Sequence, residues 1–182
     1  FAENGYKGTN LRDLAARLGL SKSALYKHYS SKEDIWNALL DRMEAYYAER
    51  FGSAEHISDM PKSCDELYTV TMGMINFTVN DSRIILTRKL LLTEQFHDER
   101  VCKLATKHFL GGTEKMFAVI FEEMMRNGLL KKDDATMLAF SYTAPITALV
   151  HFCDREPQKQ TEAMRQIEKF IRHFIKIYGV KV

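Results

Sequence analysis

A short polar stretch near the N-terminus carries the side chains best suited to bind a polyanion. Its cations, hydroxyl groups and rings are Lys22, Ser23, Tyr26, Lys27 and His28. If the stretch is helical, the apolar Leu25 and the ring of Tyr29 lie one turn apart on the opposite, inward side. Ammonium and hydroxyl donors of this kind bind phosphate oxygens and base edges. The stretch therefore predicts a nucleic-acid surface, with a solvated polar face on a small helical bundle as the alternative.

The preceding residues indicate how this face is displayed. The segment from Leu11 to Leu18 has apolar residues at helical spacing, and Thr9 is a plausible N-cap for that helix. Gly19 stands where a helix ends in the left-handed conformation that glycine adopts easily. Ser21 then caps a second short helix, predicted to cover residues 22–29. Two helices joined by such a tight turn form a helix-turn-helix, whose second helix enters the major groove.

Residues 1–40, FAENGYKGTNLRDLAARLGLSKSALYKHYSSKEDIWNALL, resemble the DNA-binding domain of the tetracycline-repressor (TetR) family. The matching residues are Phe1, Gly5, Tyr6, Thr9, Leu14, Ala15, Gly19, Leu20, Ser21, Leu25, Tyr26, His28, Tyr29, Lys32 and Glu33. The departures, at Asn10, Ala16, Arg17 and Ser23, bear on which DNA sequence is read. The resemblance is close in this segment and loose after about residue 50.

The resemblance implies which residues contact DNA. Those expected to hold the phosphate or sugar backbone are Thr9, Asn10, Tyr26, His28 and Lys32. Those expected to face base edges are Lys22, Ser23 and Lys27. Lys27 can donate to guanine O6 and N7, although a single ammonium reads bases less sharply than a forked guanidinium.

Composition is that of a globular protein with a basic head. The chain has 182 residues and a formal net charge of +2. Residues 1–32 contain six cations and two acids, 6 − 2 = +4, and the remainder contains 20 cations and 22 acids, −2. A basic head on a slightly acidic body suits a phosphate-binding module.

Other functional classes receive little support from the sequence. There is no glycine-rich phosphate loop, HExxH or GxSxG motif, so we expect no catalysis, no metal site and no cofactor. Three widely spaced cysteines indicate neither a disulfide framework nor a zinc site, and a cytoplasmic location is expected. We expect no membrane-spanning segment. By the resemblance, the start of the family's first helix is expected upstream of Phe1.

Helical periodicity runs almost end to end, which predicts an all-α fold. An N-terminal helix-turn-helix bundle with a connector helix is expected over residues 1–50, and an effector-binding and dimerisation domain over 51–182. The connector is capped by Ser31, and a polar break at Gly52, Ser53, Ser58 and Asp59 marks the boundary. The adjacent Gly111 and Gly112 predict a kink or a restart within a later helix.

The body is rich in soft apolar side chains, which suit a pocket for a small hydrophobic or amphipathic effector. The candidate lining residues are Met74, Phe77, Phe96, Phe109, Met116, Phe117, Met137, Phe140 and Tyr142. The alternative for each is a place in the hydrophobic core.

The last helix carries a heptad-like seam of apolar residues. With two residues of the helix before it, the predicted dimerisation residues are Ile146, Leu149, Met164, Ile167, Ile171, Phe174 and Tyr178. The resemblance implies a two-fold dimer built from the last two helices as a four-helix bundle. The alternative is a helix buried in the core of a monomer.

These observations together predict a ligand-responsive transcriptional regulator. The resemblance implies a homodimer, most often a repressor, that binds a palindromic double-stranded DNA operator and is released by a small-molecule effector. The alternative is a helical interaction protein or a nucleoid-type DNA-binding protein without a ligand switch.

Overall fold

The computed structural model describes residues 1–51 and 60–180, apart from the side chains of Phe51 and Leu110. The predicted polar break at Gly52, Ser53, Ser58 and Asp59 therefore lies outside the described residues. Within the described ranges the chain is helical and contains no strand. This confirms the all-α prediction.

Ten α-helices follow one another along the described chain. They are α1 (Gly5–Gly8), α2 (Leu11–Arg17), α3 (Lys22–Tyr26), α4 (Lys32–Phe51), α5 (Cys64–Asn80), α6 (Ser82–Glu94), α7 (Glu99–Thr106), α8 (Gly112–Arg126), α9 (Ala135–Arg155) and α10 (Gln160–Tyr178). A π-helical turn (Lys107–Gly111) joins α7 to α8, and a 3₁₀ turn (Pro157–Lys159) precedes α10.

The first of two compact units comprises residues 1–52 and 86–105. The second segment is tied to α4 by polar contacts. The Trp36 indole Nε1 donates to Asp98 Oδ2 at 2.8 Å, and the Arg100 guanidinium pairs with the carboxylates of Asp41 and Glu44. We call this first unit the head. It includes residues 86–105, which the predicted domain boundary near residue 50 separates from it.

Near the N-terminus of this unit, a glycine packs closely against another helix. Gly5 has a φ of +68°, and a Cβ there would collide with the carboxylate of Glu94, which is itself buried. The left-handed conformation favours glycine, and a side chain at this position would also require the Glu94 carboxylate to move. Gly5 therefore brings α1 against the C-terminal end of α6.

The second unit comprises residues 53–85 and 106–182. Its core is lined by α5, α8, α9 and α10, and it centres on an aromatic cluster. The rings of Phe117, Phe121, Tyr142 and Phe174 lie at centroid distances between 4.6 and 5.7 Å. The Tyr142 hydroxyl donates to Thr71 Oγ1 at 3.1 Å inside this cluster. Burial raises the pKa of that phenol, although the bond to Thr71 opposes the shift.

The helix containing Pro145 is the most apolar of the second unit. By length and composition alone, α9 could cross a membrane, contrary to the expectation that no segment could. One face of α9 is nevertheless buried in the protein core, at positions such as Leu138, Tyr142 and Ile146. A core helix of a water-soluble domain meets the same criterion, so we interpret α9 as a core helix.

The predicted interruption at the paired glycines is confirmed and has a specific geometry. A π-helical turn over Lys107–Gly111 separates α7 from α8. A Cβ at Gly112 would lie 2.8 Å from the carbonyl oxygen of Lys107, whereas one at Gly111 would find its nearest atom at 3.8 Å. The π-helical turn therefore leaves no space for a side chain at residue 112, whereas a Cβ fits at residue 111.

Candidate nucleic-acid interface

Local hydrogen bonds at α2 and α3 set the geometry of the helix-turn-helix. Asn10 caps α2, since its side-chain oxygen accepts from Asp13 N at 2.8 Å. Gly19 makes the turn with a φ of +67°, as predicted. Ser21 caps α3 by accepting from Ala24 N at 3.1 Å, also as predicted, and Leu25 is buried beneath. Capping by short polar side chains explains why so short a helix can form at this position.

The outer face of α3 is exposed, as its polar character predicts. Lys22, Ser23, Lys27 and His28 are exposed, and Tyr26 is 45% exposed. Helix α3 ends at Tyr26, so Lys27 is its C-cap and His28 follows it. The predicted helix over 22–29 was therefore too long.

Two contacts organise the side chains on this face. Lys22 Nζ lies 5.7 Å from the centroid of the Tyr26 ring, within the range of a cation–π interaction. Ser23 Oγ and Ser21 Oγ share a hydrogen bond of 2.9 Å. The face therefore presents cations and hydroxyl groups in a defined arrangement that fits a phosphate-lined groove.

Thr9 does not have the predicted role of helix cap. Its hydroxyl is buried, with 7% of the residue exposed, and donates to Gly5 O at 2.8 Å. Asn10, which is exposed, has the capping position and uses its amide nitrogen to contact the Asp13 carboxylate. Because the Thr9 hydroxyl is occupied within the head, we leave Thr9 out of the proposed DNA interface and retain Asn10.

Lys32 is the first residue of α4, and Ser31 caps this helix by accepting from Asp34 N at 3.0 Å. Its Nζ lies 4.4 Å from the centroid of the Tyr6 ring. The ring of Tyr6 also contacts Phe1, at 6.2 Å, and Trp36, at 5.2 Å, and these two rings contact each other. Sequence reasoning matched Tyr6 to the family but gave it no role, because Lys32 and Trp36 are distant from it in sequence.

Charge pairing in the first unit engages Arg17 but not the three lysines at and after α3. Arg17 NH1 pairs with Glu3 Oε2 at 2.9 Å, and this hydrogen bond and charge lower the pKa of the Glu3 carboxyl. Within the part of the chain that the structure describes, Lys22, Lys27 and Lys32 form no ion pair. The exposed cations near α3 are therefore the part of the head best suited to bind phosphate.

The residues predicted to line an effector pocket do not converge on one site. Phe117 and Tyr142 belong to the aromatic core cluster. Phe96 is 85% exposed and lies in the first unit, while Met137, at 61%, and Phe140 lie exposed on α9. The remaining four residues are partly buried, and they are Met74, Phe77, Phe109 and Met116. An apolar side chain alone does not distinguish a core, surface or pocket position.

A surface groove of about 440 Å³ lies between α5 and the beginning of α10. Its lining mixes methionines, polar residues and charged residues. They are Met72, Asn76, Pro157, Gln160, Thr161, Met164, Arg165 and Glu168. None of these was among the predicted effector contacts, and only Met164 carried another predicted role, in dimerisation.

The predicted dimer seam is largely internal to the protomer. Ile167, Ile171 and Phe174 on α10, and Ile146 on α9, are buried in the core of the second unit. Leu149, Met164 and Tyr178 are partly buried against the same core. The heptad spacing correctly identified a buried face, but that face packs within the chain. The most exposed large apolar side chains of the described second unit lie on α9, at Met137 and Phe140, and we take this face as the candidate surface for a partner.

Comparison with known proteins connects the N-terminal segment of the chain to one family. Residues 1–39 match the sequence model for bacterial regulatory proteins of the tetR family. The biofilm operon icaADBC HTH-type negative transcriptional regulator IcaR of Staphylococcus epidermidis is 35% identical over 86 residues, which span 47% of this chain but only 44% of that protein. The nucleoid occlusion factor SlmA of Actinobacillus pleuropneumoniae is 27% identical over 158 residues, or 84% of this chain and 70% of that protein.

Solved structures share the architecture along the full length of the chain. SmeT, the repressor of the Stenotrophomonas maltophilia multidrug efflux pump SmeDEF, is similar in its complex with triclosan at a TM-score of 0.73 and 18% identity. The match covers 100% of this chain and 87% of that one. Residues 1–39 therefore carry the DNA-binding domain of the tetR family of bacterial regulatory proteins, and the chain as a whole has the fold of TetR-family regulators.

Proposed function

We propose that the chain is a ligand-responsive transcriptional repressor that binds a palindromic operator as a two-fold dimer. The observation that carries this proposal is the outward polar face of α3, presented by a helix-turn-helix whose Leu25 is buried. Lys22, Ser23 and Lys27 are the residues we assign to base edges. Asn10, Tyr26, His28 and Lys32 are those we assign to the DNA backbone.

A symmetric pair of heads defines the expected form of the operator. Two α3 helices in a two-fold dimer face half-sites whose centres lie about 34–36 Å apart, one turn of B-DNA. An effector that releases the DNA has to bind the form with displaced heads more tightly, because equal affinity for both forms shifts nothing. The similarity to SmeT, whose structure holds triclosan, supports a hydrophobic or amphipathic effector.

The deciding experiment is the selection of DNA fragments by the purified 182-residue chain. We expect enrichment of an inverted repeat with the half-site spacing given above. Binding to that repeat is then measured by fluorescence anisotropy with and without triclosan as the first probe, followed by a panel of amphipathic compounds. A selection that enriches no sequence would refute operator recognition, whatever the ligands do.

A nucleoid-type DNA-binding protein without a ligand switch is the second candidate. Two observations favour it specifically: Phe117 and Tyr142 fill the core instead of lining a pocket, and the similarity to SlmA extends over 84% of the chain. This candidate predicts a selected site whose binding is unchanged by every ligand tested. The proposed repressor predicts that at least one amphipathic ligand releases the DNA.

A further inference from the structure

We propose that Tyr6 is a positioning residue for DNA binding, which holds the Lys32 ammonium in place for a backbone phosphate. The inference rests on the proposed function, because it assumes that Lys32 binds phosphate. It assigns a role to a ring that lies outside the helix-turn-helix. The juxtaposition that carries it is the Lys32 ammonium placed 4.4 Å from the centre of the Tyr6 ring.

The ring is itself held by an aromatic stack. Phe1 stacks on Tyr6 with an interplanar angle of 10°, and Trp36 packs against both rings at 5.2 Å. Trp36 is buried, and its Nε1 donates to Asp98 Oδ2, which fixes the plane of the indole. The Tyr6 ring therefore has a defined orientation before any DNA arrives.

This arrangement suits a lysine that binds an anion. The ring quadrupole attracts the ammonium from one side, while N–H donors on the other side stay free to contact a phosphate oxygen. A free lysine loses rotamer entropy when it is immobilised. A lysine already placed by a ring loses less on binding, and preorganisation of this kind increases affinity.

Lys32 differs in this respect from the other cations assigned to DNA. The Lys22 ammonium lies farther from an aromatic ring, at 5.7 Å from the centroid of Tyr26. Tyr26 is exposed and belongs to α3, as Lys22 does. Tyr6 is partly buried, and it belongs to a separate helix, α1. The Tyr6–Lys32 pair thus connects α1 to the start of α4 at a fixed distance, which gives the phosphate contact a rigid base.

The test is a double-mutant cycle on the 182-residue chain, with a random-sequence duplex as the probe. Because phosphate contacts carry no sequence information, this test does not require the operator. The proteins are the wild type, Tyr6→Leu, Tyr6→Phe, Lys32→Ala and the Tyr6→Leu/Lys32→Ala double variant. Affinity is measured by anisotropy over a series of salt concentrations, and circular dichroism confirms that each variant is folded. Tyr46→Leu removes a ring that lies 5.4 Å from the Arg50 guanidinium on the same helix as Lys32 and serves as the matched control.

We expect Lys32→Ala to weaken binding and to lower the salt slope by about one. Tyr6→Leu is expected to weaken binding about two- to fivefold when Lys32 is present and to have no effect when it is absent. Tyr6→Phe, which keeps the ring, is expected to bind like the wild type, as is Tyr46→Leu.

The outcomes separate the two levels of the proposal. If Lys32→Ala leaves affinity and slope unchanged, the phosphate role of Lys32 is wrong, and the role of Tyr6 is wrong with it. If Lys32→Ala has its expected effect but Tyr6→Leu does not weaken binding, only the positioning role is refuted. Equal losses from Tyr6→Leu in both backgrounds would show a purely structural role and would also refute positioning. Tighter binding by Tyr6→Leu would also refute positioning, because Lys32 would then have to leave the ring to bind phosphate.

Discussion

Lys27 is exposed, lies at the end of α3 and is one of the residues that we assign to base edges. It follows the last residue of α3 and supplies its C-cap backbone. An ammonium at this position can donate to guanine O6 and N7, whereas a hydrophobic side chain cannot. Its contribution should therefore depend on the DNA sequence.

We expect Lys27→Ala to weaken binding to the selected operator by about 1–3 kcal/mol. The loss on random-sequence DNA should be smaller, because only the general charge is removed there. Fluorescence anisotropy on both duplexes measures the difference. Lys103→Ala is the control, since Lys103 is exposed and paired with Glu99 on α7. Equal affinity of the variant and the wild type for the operator would exclude base contact by Lys27.

Asp98 predicts a pH dependence of stability in the first unit. Partial burial by itself would raise the pKa of the Asp98 carboxyl. Hydrogen bonds from the Trp36 indole and from the backbone N–H groups of Val101 and Arg100 outweigh burial and lower the pKa below its ordinary value of 3.8. A lowered pKa in the folded state gives stability that is present above the unfolded-state pKa and is lost as pH falls through the folded-state value.

Asp98→Asn should therefore destabilise the protein at neutral pH and much less in acid. The free energy of unfolding of both proteins is measured by urea titration at about pH 7 and about pH 3. The difference between them should shrink as the pH falls, because protonation removes the same charge from the wild type. A difference that stays constant across this range would show that the Asp98 charge contributes nothing to stability.

At the scale of elements, the π-helical turn between α7 and α8 makes opposite predictions for two adjacent glycines. Both have right-handed helical backbone angles, so alanine suits the backbone at either position. A Cβ at residue 112 would nevertheless lie 2.8 Å from the Lys107 carbonyl oxygen, which belongs to the backbone and cannot move aside cheaply. A Cβ at residue 111 would find its nearest atom at 3.8 Å, which is an ordinary van der Waals contact.

Gly112→Ala should lower the free energy of unfolding by about 1–3 kcal/mol, the usual cost of overpacking. Gly111→Ala should leave it unchanged or raise it by up to about 1 kcal/mol, because alanine is the better helix former. Thermal and urea denaturation of the two variants provide the comparison. If the two variants have the same stability, the π-helical turn does not constrain residue 112.

At the scale of the whole molecule, the proposed dimer requires an apolar surface that the protomer does not bury. The exposed side of α9 offers Met137 and Phe140, whereas Ile167, Ile171 and Phe174 of the α10 seam are buried in the core. A charge at the centre of such an interface loses its hydration without a partner. The operator affinity of a two-fold dimer falls when its heads act separately.

Phe140→Glu should therefore shift the protein toward monomers and weaken operator binding. Sedimentation equilibrium measures the association, and anisotropy measures the DNA affinity. Val119→Glu is the matched control, because Val119 on α8 is exposed to a similar extent. An unchanged dimer in Phe140→Glu would remove this face of α9 from the proposed interface.

Features set by neighbouring residues could be predicted from the sequence. The caps at Ser21 and Ser31, the left-handed Gly19 and the break at Gly111–Gly112 all depend on groups a few residues apart. At the N-terminus of α2, however, two neighbouring side chains could each have been the cap. Asn10 caps α2, and the Thr9 hydroxyl turns back to Gly5. Both side chains are capable of capping, so sequence alone did not separate them.

Features set by distant residues could not be predicted. The heptad spacing of α10 marks a buried face but does not say whether a second chain or the same chain covers it. Phe96 and Phe117 have the same side chain, yet one is exposed and the other lies in the core. The bond between Trp36 and Asp98 joins residues 62 positions apart, which no local pattern reveals.

The close approach of Gly5 to Glu94 has a practical consequence for domain grafting. A chimera that exchanges residues 1–50 for those of a relative would place a foreign α1 against the native Glu94, and a foreign α4 opposite the native Asp98 and Arg100. We therefore expect a well-folded exchange to carry residues 86–105 along with the N-terminal segment, because the first compact unit of this chain is discontinuous in sequence.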